Sequence, residues 1–195
     1  MTNPNKETDP RVIRTRQMLK AALVELLQEM DMEKISVNSL AKRATINRVT
    51  FYLHYRDLPD MLEKMAEEMI HEISILFGEP IAKKQTHEDI IQMLEKFLQH
   101  IADHATFFKT ILTSRSPSFF KDRLLTFIKD WLFIRIESIG SDSFVQKADI
   151  QKDILLWYNS AAFFGTVQEW LRNDMPYTPS FLARQFYLIH KRGIG

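Results

Sequence analysis

Cysteine is absent from this sequence, which removes disulfide scaffolds, cysteine zinc fingers, iron–sulfur clusters and thiol nucleophiles at once. Glycine is scarce and limited to Gly78, Gly140, Gly165, Gly193 and Gly195. Neither a GxGxxG loop nor a P-loop can be assembled from these five, so phosphate-cradling nucleotide sites are excluded. No Asn-Gly or Asp-Gly pair is available to turn a hairpin. No apolar run approaches the roughly 18–20 residues of a membrane span, and the polar opening MTNPNKETDP is unlike a signal peptide. The expectation is a cytoplasmic protein with no membrane attachment.

What is present fits a helical globular chain. Of 195 residues, 45% are hydrophobic and 26% charged, enough to bury one or two cores without cross-links. The net charge of +1 is unevenly spread. Residues 1–56 hold 10 Lys/Arg and 6 Asp/Glu (+4), whereas the remainder holds 16 and 19 (−3). A basic N-terminal third joined to a mildly acidic body implies an anionic partner for that third.

Helical periodicity runs almost throughout. Asp9-Pro10 reads as a cap and first position, followed by a stripe at Leu19, Leu23, Leu26, Leu27 and Met30. A short helix is predicted over Ser36–Ala44, a turn at Thr45-Ile46-Asn47, and a second short helix over Arg48–Tyr55. Asp57 caps a long helix that has Pro59 in its first turn and is ended by Gly78 and Pro80. Beyond it, Thr86 through Asp103 opens on a Thr86–Asp89 capping pair, and Ser116-Pro117 and Thr178-Pro179 open two further helices. A polar loop at Gly140–Ser143 precedes a helix at about Phe144–Asn173. The fold class is all-α with about nine helices, organised as an N-terminal three-helix domain (1–56) and a helical-bundle domain (57–195).

Two short helices joined by a tight turn, locked by apolar residues, describe a helix-turn-helix. The second would bury Phe51 and Tyr55 and expose Asn47, Arg48, Thr50, Tyr52 and His54. Arg pairs bidentately with guanine, Thr can touch a thymine methyl, and Tyr and His can bond phosphate oxygens. The run Leu40-Ala41-Lys42-Arg43-Ala44, Ile46-Asn47-Arg48, Thr50 through Asp57 and Met61-Leu62 resembles the DNA-binding domain of TetR/AcrR-family transcriptional regulators. Arg11–Leu27 resembles the first helix of that domain.

The resemblance implies double-stranded DNA contacts from Arg16, Ser36, Asn38, Asn47, Arg48, Val49, Thr50, Tyr52, His54 and Arg56. Three departures stand out: Thr45 where the family has a turn glycine, Val49 where it often has another, and Leu58-Pro59 in place of Lys-Glu. Thr45 would be strained at a positive φ, Val49 would bring an apolar group to the groove, and a phosphate contact is lost at Leu58.

The stretches HIADHATFFKTILTSRSPSFFKDRLLTFIKDWL and FFGTVQEWLRNDMPYTPSFLARQF resemble the effector domain of Firmicutes members of that family. This implies a homodimer through the last two helices, with Ala161, Ala162, Gly165, Glu169, Leu182, Phe186 and Ile189 at the interface. It also implies a pocket for a small apolar or aromatic effector, lined by Met93, Phe97, His100, Phe108, Phe127, Trp131, Trp157 and Phe164. His100 and His104 have a chelating i, i+4 spacing without a third ligand, and Ser118–Lys121 matches SxxK without its companion KTG motif. No metal, cofactor or enzymatic activity is expected. The function so implied is a ligand-responsive repressor binding a pseudo-palindromic operator, the alternative being an activator or co-regulator acting through a protein partner.

Overall fold

The structure, a computed structural model, describes residues 9–78, 86–113, 119–139 and 150–194. These residues form nine α-helices and no strand, in two compact units, one running through Met69 and the other beginning at Ile70. None of the helices is long and apolar enough to cross a membrane. The expected helix starts at Ser116-Pro117 and at about Phe144, the loop at Gly140–Ser143, Pro80 and Ser118 lie outside the described residues.

In the first unit α1 (Pro10–Glu29) opens as its sequence dictates, with the Asp9 carboxylate accepting from the Arg11 N–H at 2.8 Å and Pro10 in the first turn. Its buried stripe includes Leu19, Ala22, Leu23, Leu26 and Leu27. After a 3₁₀ turn at Met32–Lys34, Ser36 and Ser39 form a reciprocal capping box that starts α2 (Val37–Arg43). Arg43 then forks onto Glu29 at 2.8 and 2.6 Å and reaches Glu25 at 3.3 Å, tying α2 to α1.

The turn that follows is a Schellman motif. Ile46 N–H donates to the Ala41 carbonyl and Thr45 N–H to that of Lys42, with Thr45 at φ +55°. Asn47 caps α3 (Arg48–Tyr52) by accepting from Val49 N–H at 2.8 Å. α4 (Leu58–Phe77) starts in this unit and ends in the other. Phe51, 0% exposed like Leu19, Leu23, Leu40 and Met61, anchors the unit. Burying one such ring is worth about 2–3 kcal/mol.

The second unit adds α5 (His87–Asp103), α6 (Ala105–Thr113), α7 (Phe119–Ile139), α8 (Lys152–Arg172) and α9 (Pro179–Ile194). The Thr86–Asp89 capping box forms as read. α5 packs along α9, and α8 along α6 and α7. An aromatic cluster fills the centre: Phe77 stands edge-on to Phe97, Phe127 and Trp131 at 5.0, 5.5 and 5.1 Å. Phe97 continues onto Phe163 and Phe163 onto Phe186.

Candidate nucleic-acid interface

α3 is short enough to read one side chain at a time. Residues four apart lie in rows along a helix, and α3 with its C-terminal turn carries four. Phe51 and Tyr55 form the inward row, 0% and 4% exposed, and Thr50 and His54 form a half-buried row beside it. Arg48 with Tyr52, and Val49 with Leu53, are the two rows facing solvent. Arg48 donates to the Tyr52 hydroxyl at 3.0 Å and lies over its ring. Val49 and Leu53 are 67% and 77% exposed.

The helix is shorter than the Arg48–Tyr55 expected, because α4 captures the backbone beyond it. Lys64 Nζ donates to the His54 carbonyl at 3.4 Å, and the Asp60 carboxylate accepts from Arg56 N–H at 2.9 Å. Asp60 is a buried hub: it also receives the Arg56 guanidinium at 3.3 Å and Lys64 Nζ at 3.1 Å. The Arg56 N–H chiefly, with Lys64 assisting, holds the Asp60 carboxyl below its ordinary range. Arg56, expected at a phosphate, is thus engaged by Asp60 while its side chain stays 81% exposed.

Around α3, Asn47 and Ser36 are exposed, but their side-chain oxygens are used as helix caps. Asn38 is exposed on the first turn of α2. Arg16 is half-buried, with its Nε shielded and lacking a hydrogen-bond partner among the described residues. Burial first, and the Arg16 charge second, press the His54 pKa below its usual value, so its ring is neutral at neutral pH. The Tyr55 phenol is pushed up to about 12, mainly by burial, with the Glu68 charge adding to it. Leu53, Asp60 and Lys64 were missed in the sequence. The i, i+4 spacing of Val49 and Leu53 was the signal for the first, whereas the other two act across a helix junction and leave no local pattern.

The residues expected at a pocket divide. Met93, Phe97, Phe108 and Trp131 are buried, His100, Phe127 and Phe164 are half-buried, and Trp157 is 58% exposed. His100 Nε2 lies 3.5 Å from the Glu72 carboxylate and edge-on to His104 and Phe108. An open groove of about 480 Å³ runs between the end of α4 and α7, lined by Ser74, Ile75, Gly78, Phe127, Trp131 and Ile134 with Asp130. No three His, Asp or Glu side chains converge as a metal site among the described residues.

The residues expected at a dimer interface also divide. Ala161, Ala162, Glu169 and Ile189 are exposed, Gly165 and Phe186 half-buried, and Leu182 only 7% exposed within its own unit. Glu169 is ion-paired with Arg172. A Cβ built at Gly165 would meet nothing within 4 Å. Unforeseen neighbours extend the outer faces of these helices: Ile154, Trp157 and Tyr158 on α8, and Phe181 and Leu188 on α9, are all exposed.

Capped helices, a Schellman turn and an outward second helix together define a helix-turn-helix unit followed by a helical body. A TetR-type family model described as the transcriptional regulator C-terminal region matches residues 88–191, just over half of the chain. The chain belongs to the TetR family of transcriptional regulators, which are DNA-binding proteins. The uncharacterized HTH-type transcriptional regulator YxbF of Bacillus subtilis is 24% identical over 176 residues, 87% of this chain. The chain spans 43% of that relative's length.

Among solved structures, a TetR transcriptional regulator from Streptococcus agalactiae aligns with a TM-score of 0.66 at 23% identity, over 95% of this chain and 98% of that one. The transcriptional regulator FadR from Bacillus subtilis, solved in complex with stearoyl-CoA, aligns with a TM-score of 0.60 at 19% identity, over 92% and 99%. Both likenesses are of fold.

Proposed function

We propose that this protein is a ligand-responsive repressor that binds a pseudo-palindromic operator as a homodimer and carries no enzymatic activity. The domain that reads DNA comprises residues 1–56, and residues 57–195 hold the effector and the dimer contact. The observation that carries the reading is the outward pair of rows on α3, where Arg48 and Tyr52 stand free of the core on a helix held from behind by Phe51 and Tyr55. Arg48 is suited to guanine, Tyr52 and His54 to phosphate oxygens, and Arg16, Ser36, Asn38, Asn47, Thr50 and Arg56 to the surrounding backbone.

The effector site is the aromatic region of the second unit, from Phe97, Phe127 and Trp131 to the groove beside Ile75 and Ile134. Its apolar lining favours a ligand with a substantial apolar body, and a relative of this fold solved with stearoyl-CoA accords with that. The last turn of α4 lines the groove, and the same helix begins beside α3, so a ligand seated there acts on α4 directly. Release of DNA requires that the ligand bind the two arrangements of α4 with different affinity; couplings of about 1–3 kcal/mol are typical. Trp157, being exposed, is assigned to the dimer contact with Ala161, Ala162 and Ile189.

Fluorescence anisotropy with duplex DNA from upstream of the protein's own gene, over a salt series, tests the reading. Specific binding with a steep salt slope is expected. Arg48→Ala with Tyr52→Ala should weaken binding by at least tenfold. Equal, weak binding of wild type and variant to any DNA would overturn the interface and favour action through a protein partner.

A further inference from the structure

The apolar row of α3 has no part in the core. Val49 and Leu53 are 67% and 77% exposed, while the opposite face of the same helix is anchored by Phe51 at 0%. Isolated exposed apolar side chains are common on soluble proteins. Here two are aligned one turn apart on an anchored helix, directly beside the Arg48–Tyr52 row. Leu53 retains helical angles, φ −73° and ψ −20°, so the row is continuous through the end of α3.

Neither side chain has an atom that can donate or accept a hydrogen bond. The feature of the major groove that such a surface can recognise is the 5-methyl group of thymine. Side chains four apart on a helix have Cβ atoms about 5–6 Å apart. That spans about one to two base steps at roughly 3.4 Å each.

We propose that Val49 and Leu53 select half-sites carrying thymine methyl groups within two steps of each other, beside a guanine read by Arg48. This rests on α3 being the DNA-reading helix and deepens that assignment to the base composition of the operator. Substituting uracil for thymine removes the methyl and nothing else from the groove edge, so the proposal has a chemically clean test.

Duplexes are selected from a random-sequence pool with the full-length protein, and the selected duplex is resynthesised with each thymine replaced singly by uracil. Roughly fourfold weaker binding is expected for each contacted methyl removed. With Val49→Ala and Leu53→Ala together, most of the loss caused by uracil replacement should disappear, and the salt slope should stay at the wild-type value because no charge has changed. Both side chains are exposed, so this variant should melt with the wild type, which circular dichroism checks.

Equal affinity of the wild type for thymine and uracil duplexes, with binding still lost in Arg48→Ala, would overturn the methyl reading and leave the interface standing. Unchanged affinity for the selected duplex across all the α3 substitutions would remove the interface itself, and the methyl reading with it.

Discussion

Thr45 bears the strain of the turn between α2 and α3. At φ +55° its Cβ crowds the following carbonyl, a conformation costing a non-glycine residue roughly 1–2 kcal/mol and least suited to a β-branched one. The Schellman bonds from Thr45 and Ile46 are nonetheless made, so the turn keeps its form and the side chain carries the cost. Thr45→Gly should therefore stabilise the protein by about 1 kcal/mol, net of the extra backbone entropy glycine brings to the unfolded chain. A higher melting temperature checks this, and a fall would mean that Thr45 makes a contact worth more than its strain. The departure from a turn glycine was visible in the sequence. Whether the turn or the residue would yield was not, because that balance depends on how firmly Leu40, Phe51 and Tyr55 hold the two helices.

Among helices, what was legible was local. Asp9-Pro10 and the Thr86–Asp89 pair cap where the sequence reading places them, since a cap and its N–H partner lie within three residues, whereas Ser36, read as the first helical residue, and Asn47, read as part of the turn, prove to be caps as well. The end of α3 was misjudged because it is set by Asp60 and Lys64 on the next helix. Asp60→Asn should loosen that junction and cost about 1–2 kcal/mol of stability, read by chemical denaturation. The pH dependence has a definite sign. The folded carboxyl titrates below its unfolded value, so its contribution is complete above the ordinary carboxylate range and is lost as pH falls through the depressed folded pKa. The wild type should thus lose stability more steeply than Asp60→Asn in acid, and parallel slopes would contradict the hub.

For the chain as a whole, the outward apolar faces of α8 and α9 demand an account. Ile154, Trp157, Tyr158 and Ala161 follow the i, i+3, i+4, i+7 spacing of one helix face, and all are exposed. Replacing Trp157 and Tyr158 by Glu should give a folded monomer in analytical ultracentrifugation. Operator binding should fall on the order of a hundredfold as the two half-sites are no longer held together. A dimer of unchanged stability would place the interface elsewhere. Sequence alone could not choose this face, because α8 also has Leu155, Val167, Trp170 and Leu171, which are buried. Apolar residues on most sides leave periodicity without a direction, so only the family resemblance assigned Trp157 to a pocket.

The corner after α8 bears on how such a dimer would assemble. Asp174 and Met175 are both left-handed, at φ +56° and +55°, and the N–H groups of both return to the last turn of α8. Asp174 is also salt-bridged to Lys109, and Trp170 Nε1 donates to the Tyr177 carbonyl at 2.8 Å. Four ties on so short a connection make it a bracket, in which α9 leaves α8 at an angle set within the single chain. Two copies would therefore meet as finished shapes, with little loop ordering to oppose association. Substitutions that soften the bracket would act on the rate of pairing even though they lie outside the apolar face.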